Sequence, residues 1–332
     1  MLLKKPYFMF LGDAKDQLAA KTAQGVVDWC PEKCIGQMKL DNCNADLGLT
    51  EMSLFEARER GAKTLIVGVA NRGGVISDHW ISVFISAIEL GFDIASGLHN
   101  KLTEIPKVVE ASIANNSTLY DVRHPSSEFA LGNGKKRSGK RLLQVGTDCS
   151  VGKMYTALAL TDEISKRGGK VSFRATGQTG ILISGEGVSI DAVVSDFVAG
   201  AVEELAPSND SDHWDVIEGQ GSLFHASYAG VTAGLIHGSQ PDALVLCHEP
   251  TRKHMRGLPD YPVPGLGNCM RLNLEMAQLT NSDAKFVGIA INTSNLDDET
   301  ANQYMKRISD EFNLPCVDPM KQGVSKIVDQ LN

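Results

Sequence analysis

Short apolar runs alternate along the chain with longer segments in which apolar residues recur every three or four positions. The short runs are typical of buried strands, and the longer segments are typical of amphipathic helices. Strands that alternate with helices form parallel sheets, because a helix covers the sheet between consecutive strands. The pattern therefore predicts an α/β protein with doubly wound sheets.

Residues 1–124 are predicted to form a first α/β domain. Its predicted strands are Tyr7–Leu11, Ile35–Leu40, Thr64–Ala70, Asp93–Ser96 and Leu119–Arg123. Its predicted helices are Lys15–Val27, Ser53–Arg60, Asp78–Leu90 and Val108–Ala114. The next segment, Pro125–Lys140, is rich in Gly, Ser and Lys and lacks apolar periodicity, so we predict a linker over residues 125–140.

The alternation restarts after this segment, which predicts a second α/β domain over residues 141–332. Its predicted strands are Arg141–Val145, Lys170–Ala175, Trp214–Glu218, Ala243–Cys247, Phe286–Asn292 and Pro315–Val317. Its predicted helices are Gly152–Arg167, Asp196–Leu205, Ser227–His237, Arg271–Leu279, Asp298–Phe312 and Val324–Leu331.

A strand, a glycine-bounded loop and a helix start follow one another in the segment LLQVGTDCSVGK, Leu142–Lys153. Glycines let backbone N–H groups turn inward around a phosphate, while the helix N-terminus and an exposed lysine add positive charge. The loop resembles the GTDxxxGK loop of the dethiobiotin synthetase branch of P-loop proteins, and the alternative is a glycine turn with a surface lysine. The predicted phosphate-binding residues are Gly146, Thr147, Cys149, Ser150, Val151, Gly152, Lys153 and Met154.

Met154 occupies the position at which nucleotide hydrolases carry Ser or Thr, whose hydroxyl binds Mg²⁺. A thioether is a poor ligand for a hard cation. We therefore predict phosphate binding without efficient ATP hydrolysis.

Glu218 ends a predicted strand and is followed by glycines, in the segment WDVIEGQGS. At the carboxyl end of a parallel strand, its side chain would point into the crevice in which ligands bind. The alternative is an acid that only caps the following turn.

Arg174 and Gln178 follow another predicted strand, in the segment RATGQTG. The arginine side chain presents a planar fork that suits a substrate carboxylate. Arg174 could equally form a structural salt link with Glu186 or Asp196.

His248 and Arg252 follow a further predicted strand and open a proline-rich stretch, which is a candidate lid over a ligand. His248 is a candidate general base or simply a solvated loop histidine. Asn71 and Arg72 lie at a strand end in GVANRGG, which could bind an anion but lacks the dinucleotide fingerprint of NAD-binding proteins.

The composition is that of a soluble globular protein, with 332 residues, 42% of them apolar and 22% charged. The formal net charge of −8 argues against nucleic acid as a partner, because affinity for nucleic acid comes chiefly from basic side chains. No apolar run reaches the roughly 20 residues that span a bilayer, so no membrane association is expected. The seven scattered cysteines favour reduced thiols and a cytoplasmic protein. Cys30, Cys34 and Cys43 could be three ligands of a metal site, but no fourth Cys or His follows at a zinc-finger spacing, so structural or surface thiols are expected.

Four segments together carry a resemblance that covers nearly the whole chain: Ala20–Ala23, Gly68–Gly74, Gly146–Lys153 and Glu218–Ser222. The chain resembles a family, long described as a domain of unknown function, that is associated with D-glutamate N-acetyltransferase activity. The resemblance implies a Rossmann-like N-terminal domain and a P-loop NTPase-like C-terminal domain. It also implies transfer of the acetyl group of acetyl-CoA to the amine of D-glutamate, in D-amino acid breakdown.

This reaction would use acetyl-CoA as co-substrate, with its diphosphate on the loop, and would require no metal. The expected partners are a small-molecule amino-acid substrate and further copies of the chain in a homo-oligomer. Direct attack of the amine on the thioester needs a general base and donors for the oxyanion. The candidate bases are, in this order, Glu218, Asp148 and His248. The candidate groups for the substrate carboxylates are Arg174, Arg72 and Arg252, with Gln178 and Asn71 as further substrate-binding residues.

Three alternatives remain at this point. An acetylated Cys149 could be an intermediate if the nearby helix N-terminus lowers the pKa of its thiol. An ATP- or GTP-dependent ligase or kinase of the dethiobiotin synthetase type is disfavoured by Met154. A non-catalytic nucleotide sensor would leave the many polar strand ends without a purpose.

Overall fold

A computed structural model describes residues 3–70, 74–125 and 128–331 of the chain. The chain forms two compact units, one of Met1–Ser127 with Gly177–Ala192 and one of Glu128–Thr176 with Val193–Asn332. Each unit contains a parallel sheet with helices between its strands. The predicted α/β class is therefore confirmed. Across the described ranges, no helix has the length and apolar character that crossing a membrane requires.

The first unit contains a five-stranded parallel sheet in the order β2-β1-β3-β4-β5. The strands are β1 (Tyr7–Phe10), β2 (Cys34–Met38), β3 (Thr64–Val67), β4 (Asp93–Ser96) and β5 (Leu119–Asp121). The helices that accompany them are α1 (Lys21–Trp29), α2 (Leu54–Glu59), α3 (Asp78–Glu89) and α4 (Pro106–Ala114). These strands and helices match predicted elements, and most of their ends are shifted.

The core of the first unit lies between β1 and α3. Every residue of β1 is buried, as expected for a central strand that is covered on both faces. The ring of Phe10 meets Phe84 and Trp80 edge to face, with centroids 5.4 and 5.5 Å away. The indole N–H of Trp80 donates to Asp13 Oδ1 at 2.9 Å, so this polar atom is satisfied where the ring is buried.

The second unit contains a six-stranded parallel sheet in the order β13-β12-β9-β6-β8-β7. Its strands are β6 (Lys140–Gly146), β7 (Val171–Arg174), β8 (Trp214–Ile217), β9 (Ala243–His248), β12 (Lys285–Ile291) and β13 (Cys316–Val317). A separate antiparallel pair is formed by β10 (His254–Met255) and β11 (Leu258–Pro262). The helices of this unit are α5 (Lys153–Lys166), α7 (Val198–Leu205), α8 (Ala229–Ser239), α9 (Leu266–Gln278), α10 (Asp298–Phe312) and α11 (Ser325–Val328).

Strand β6 lies at the point where the strand order of this sheet reverses. The chain moves from β6 to β7 and β8 on one side and then to β9 on the other side. In doubly wound sheets, a crevice opens at such a point beyond the carboxyl ends of the strands, and ligands bind there. The loop after β6 therefore occupies the expected ligand site of this unit.

The segment before β6 is held against the second unit although residues 128–137 contain no helix or strand. The carboxylate of Glu203 on α7 accepts hydrogen bonds from the backbone N–H groups of Asn133 and Gly134, at 3.0 and 2.9 Å. Arg137 Nη2 donates to the carbonyl of Gly238 at 2.6 Å. These contacts explain why the second unit begins at Glu128.

Residues 177–192 belong to the first unit, although β7 before them and α7 after them belong to the second. They contain α6 (Gln178–Ser184), which ends at Gly185 with a φ of +87°. Sequence analysis predicted only a polar loop in the segment RATGQTG, so α6 was not predicted. The hairpin of β10 and β11 also escaped prediction, since the pattern there indicated only a proline-rich lid.

Gly200 of α7 provides a test of how the segment before β6 is docked. A Cβ at this position would lie 1.8 Å from the carbonyl oxygen of Ala130, whereas a Cβ at Gly230 of α8 would meet no atom within 4 Å. We predict that Gly200→Ala lowers the free energy of unfolding by about 1–3 kcal/mol, because the added methyl group forces the backbone apart. Gly230→Ala is the matched control and should keep or raise stability, since alanine favours helix. Urea unfolding of both variants checks this, and equal stabilities would contradict the described docking.

Candidate active site

The loop between β6 and α5 forms a turn that ends at the helix N-terminus. Gly152, directly before α5, has a φ of +102°, and Ser150 has a φ of +53°. The left-handed region is costly for a serine, so the surrounding contacts must hold this residue. Gly146 lets the ammonium of Lys153 approach the backbone closely, because a Cβ at this position would lie 3.0 Å from Lys153 Nζ. The loop is therefore folded tightly around its own lysine.

Three consecutive backbone N–H groups at the end of this loop face no acceptor among the described residues. Within the described parts of the chain, the N–H groups of Ser150, Val151 and Gly152 donate to no protein atom. They precede the first turn of a 14-residue helix, whose dipole favours an anion at its N-terminus. The predicted loop therefore has the donors that a phosphate requires.

Lys153 is buried, with 6% of its surface exposed, and is not the exposed helix-start lysine that we expected. Its ammonium donates to the carbonyl of Asp148 at 2.8 Å. Burial lowers the pKa of Lys153 below the ordinary value of lysine. Two neighbouring thiols are protonated, since burial raises the pKa of Cys247 to about 11 and that of Cys269 to about 12. The ammonium therefore has no thiolate partner among them, and a bound anion would stabilise its charge.

The carboxylate of Asp148 is fully buried and holds the loop in place. Its Oδ1 accepts from the N–H of Cys149 at 2.6 Å, and its Oδ2 accepts from Arg252 Nη1 and from the N–H of Arg256, both at 2.8 Å. A buried carboxylate is stable only with such charge-assisted partners. Asp148 thus ties the loop to the segment that follows β9.

Arg252 is occupied by the same loop. Besides Asp148, its guanidinium donates to the carbonyls of Cys149 at 2.5 Å and Ser150 at 3.2 Å, and its Nε donates to Glu249 at 3.0 Å. These four acceptors belong to the protein, so Arg252 acts here as a clamp on the loop. Its predicted contact with a substrate carboxylate would require these bonds to be given up.

Glu218 follows β8 directly and is 3% exposed. Its Oε2 accepts from the N–H of Thr176 at 2.9 Å, and its Oε1 accepts from Gln220 Nε2 at 3.1 Å. The next residue, Gly219, approaches β6 so closely that a Cβ would lie 1.6 Å from the carbonyl oxygen of Gln144 and 3.0 Å from Lys153 Cδ. The glycine after the acid therefore lies directly beside β6 and the lysine of the loop.

His248 ends β9 and contacts the loop through Thr147, whose Oγ1 lies 2.9 Å from His248 Nδ1. The ring stacks on Tyr304 with centroids 6.3 Å apart. Burial lowers the pKa of His248 to about 4, so the imidazole is neutral near pH 7. This histidine is a packed residue of the site and not a solvated loop histidine.

Cys149 and Met154 complete the predicted loop residues. Burial raises the pKa of the Cys149 thiol, which opposes the lowering that we expected from the helix N-terminus. Met154 lies in the first turn of α5, at the position where a hydroxyl would bind magnesium. The loop therefore offers neither an activated thiol nor the usual magnesium ligand.

Arg174 and Gln178 are engaged elsewhere. Arg174 Nε donates to the buried Asp215 at 2.7 Å, and Asp215 also accepts from Asn209 Nδ2 at 3.1 Å. This partner is neither of the two acids that the sequence suggested. Gln178 belongs to the first unit, where a Cβ at Gly97 would lie 1.8 Å from its Oε1.

Two further predicted substrate-binding residues, Asn71 and Arg72, lie outside the residues that the structure describes. The loop residues, Asp148, Glu218, His248 and Arg252 are brought together within the second unit.

Two residues near the loop escaped sequence analysis, His225 and Arg256. His225 is 1% exposed, its Nδ1 accepts from the N–H of Ser227 at 3.1 Å, and its Nε2 donates to the carbonyl of Arg256 at 3.1 Å. Asp148, Cys149 and His225 place possible metal-ligand atoms within 4.8 Å of one another. Asp148 and His225 are committed to protein hydrogen bonds. A basic run, RKHMR over residues 252–256, was the available signal for Arg256.

Comparison with known proteins agrees with this architecture. Residues 33–125 match a family described as "Domain of unknown function (DUF1611_N) Rossmann-like domain", and residues 128–328 match "Domain of unknown function (DUF1611_C) P-loop domain". The predicted Rossmann-like and P-loop domain types are thereby confirmed.

Relatives of full length were found both among curated proteins and among solved structures. A protein of Tritonibacter scottomollicae named D-glutamate N-acetyltransferase is 57% identical over 330 residues, 99% of each chain. A Pseudoalteromonas protein of the same name is 51% identical over 331 residues, the whole of both chains. A crystal structure of a DUF1611 family protein from Anabaena variabilis is 30% identical and covers 99% of both chains with a TM-score of 0.90. The chain therefore belongs to the DUF1611 family, as its resemblance implied.

Proposed function

We propose that this protein is a D-glutamate N-acetyltransferase, which moves the acetyl group of acetyl-CoA to the amine of D-glutamate. Two relatives that bear this name share 51% and 57% of their residues with the chain over its full length. The structural observation that carries the proposal is a phosphate-binding loop that has Met154 in place of the magnesium-binding hydroxyl. Such a loop suits a substrate whose phosphates are bound and not cleaved.

Acetyl-CoA fits this loop because it carries a diphosphate. The N–H groups of residues 150–152, the N-terminus of α5 and Lys153 together supply donors and positive charge for it. The reaction breaks the thioester of the acetyl-CoA and leaves the diphosphate intact. The diphosphate therefore serves to hold and orient the donor, which is how remote binding energy contributes to catalysis.

The nitrogen of D-glutamate starts as an ammonium and loses two protons as it becomes an amide. A base takes the first proton, and the amine nitrogen then attacks the carbonyl carbon of the thioester. The C–S bond breaks as the amide forms, and the thiolate of CoA takes up the second proton that leaves the nitrogen. Backbone N–H groups near Gly219–Ser222 are the proposed donors to the oxyanion, which needs preorganised hydrogen bonds.

Glu218 is the proposed base. It follows β8 directly, its carboxylate accepts from Thr176 N–H and Gln220 Nε2, and the next residue, Gly219, lies beside Lys153. Asp148 is less suitable, because the cationic Arg252 and two backbone N–H groups bind its carboxylate. His248 is less suitable too, because its Nδ1 lies 2.9 Å from Thr147 Oγ1 and its ring is packed on Tyr304.

The alternative function is an ATP- or GTP-dependent ligase or kinase of the dethiobiotin synthetase type. Its basis is the loop sequence GTDCSVGK, Gly146–Lys153. Met154 disfavours it, since a thioether does not replace the hydroxyl on Mg²⁺. An acetylated Cys149 is disfavoured as well, because burial raises the pKa of that thiol.

The proposed function predicts metal-independent thiol release. Purified protein is incubated with acetyl-CoA and a panel of D- and L-amino acids, with and without EDTA, and the free thiol is measured. D-glutamate should give the fastest release and EDTA should leave the rate unchanged, because no step uses a metal. A parallel incubation with ATP and Mg²⁺ should release little phosphate. Magnesium-dependent phosphate release without thiol release would instead favour the ligase or kinase.

Glu218→Gln tests the base. The amide keeps the shape of the side chain but cannot accept the proton, so kcat should fall roughly 10²–10⁴-fold. The KM for acetyl-CoA should change little, since the loop holds the donor. Glu311→Gln, which changes an exposed acid of α10, is the matched control and should keep wild-type kinetics. A near-normal kcat for Glu218→Gln across the pH range would show that Glu218 is structural.

Because His248 is buried, we expect the free energy of unfolding to fall in acid. In the unfolded chain its pKa is near 6.5, but in the folded chain burial lowers it to about 4, so the unfolded state takes up a proton first as pH falls. Between pH 7 and pH 4 this residue should therefore cost about 3 kcal/mol of stability. His248→Asn lacks the titration, and its unfolding curves should lose that much less stability than the wild type over this range. Parallel losses in both proteins would show that burial does not shift this imidazole.

A further inference from the structure

The segment that leads into the hairpin of β10 and β11 is strongly basic. Four of the five residues from 252 to 256 are Arg, Lys or His, namely Arg252, Lys253, His254 and Arg256. Arg252 forms ion pairs with two carboxylates, those of Asp148 and Glu249, and hydrogen bonds to carbonyls of the loop. The other three basic residues of this run, Lys253, His254 and Arg256, form no ion pair with a carboxylate among the described residues.

Arg256 is fixed against the phosphate loop through its backbone on both sides. Its N–H donates to Asp148 Oδ2 at 2.8 Å, and its carbonyl accepts from His225 Nε2 at 3.1 Å. Its guanidinium reaches the loop and donates to Ser150 Oγ through Nη1. The position of this cation at the loop is therefore set by the fold and not by a flexible side chain alone.

The charge of Arg256 is not neutralised there. Among the described residues, no carboxylate lies within ion-pair distance of the Arg256 guanidinium or of the ammonium of the exposed Lys253. Arg252, in the same segment, meets two carboxylates. An arginine fork that lacks an acidic partner and lies beside a phosphate-binding loop is suited to a further phosphate.

We propose that Arg256, assisted by Lys253, binds the 3′-phosphate of coenzyme A while residues 146–153 bind its diphosphate. This inference rests on the proposed function, because it takes coenzyme A as the ligand of the loop. Coenzyme A carries phosphate at two places on one ribose, and the site offers two separate sets of phosphate-binding groups. The subsite makes the enzyme specific for acyl donors that are phosphorylated at the 3′ position.

The test compares CoA with dephospho-CoA, which lacks only the 3′-phosphate. Isothermal calorimetry of the wild-type protein should show CoA binding about 10- to 100-fold tighter, the usual range for hydrogen bonds to a charged group. Arg256→Gln should reduce CoA affinity to near that of dephospho-CoA and leave dephospho-CoA affinity unchanged. Lys253→Gln should reduce CoA affinity by a smaller factor, and Arg256→Lys should restore part of the loss.

Lys285→Gln is the matched control, since it removes an exposed positive charge at the start of β12. It should keep the wild-type preference for CoA. The wild-type comparison needs no variant, so it remains decisive even if Arg256→Gln unfolds, which thermal denaturation would reveal.

Three results would overturn the inference. Equal wild-type affinities for CoA and dephospho-CoA would exclude a 3′-phosphate subsite. Equal weakening of both ligands in Arg256→Gln would assign Arg256 to the diphosphate or to the shape of the loop. If Arg256→Gln raises the KM for D-glutamate and leaves the KM for acetyl-CoA unchanged, Arg256 binds a carboxylate of the amino-acid substrate.

Thiol release from acetyl-CoA, measured separately, distinguishes these results from failure of the proposed function. Transfer that stays intact while CoA and dephospho-CoA bind equally contradicts only the subsite. Absence of both transfer and binding contradicts the proposed function and the subsite with it.

Discussion

The buried carboxylate of Asp148 is the interaction on which the candidate site depends. It joins two chain segments at one point, because it accepts from Cys149 within the loop and from Arg252 and Arg256 in the segment after β9. Removing one partner of a buried charge pair typically costs about 3–5 kcal/mol, since the other charge is left unpaired. Loss of this carboxylate would therefore release the loop and the start of the hairpin together.

The hydrogen bonds of Asp148 give Arg252 and Arg256 different roles. The donors of Arg252 are used by Asp148 and the loop carbonyls, so they hold Ser150 in its left-handed conformation. With that conformation fixed, the N–H groups before α5 are kept available without a reorganisation cost when a phosphate binds. Arg256, anchored by its backbone, is then free to present its charge at the edge of the same loop.

Local features of the site were predictable from the sequence, but partners across long separations were not. The loop at Gly146–Lys153 and the acid at Glu218 were found because a strand end and glycines mark them within a few residues. Arg174 is bound to Asp215, 41 residues away, and Arg252 to Asp148, 104 residues away. Such pairs depend on strand order, which hydrophobic periodicity does not specify. The burial of Lys153 escaped prediction for the same reason, since its neighbours Cys247 and Cys269 come from β9 and α9.

The replacement of the magnesium hydroxyl by Met154 changes what the acid at the end of β8 can do. A carboxylate that binds a metal ion has its lone pairs directed at the cation and is a poor proton acceptor. Two of the partners of the Glu218 carboxylate are the neutral donors Thr176 N–H and Gln220 Nε2. Under the proposed function, the loop binds phosphates without cleaving them, and Glu218 accepts a proton and binds no metal ion. These two roles are compatible, because neither of them needs magnesium.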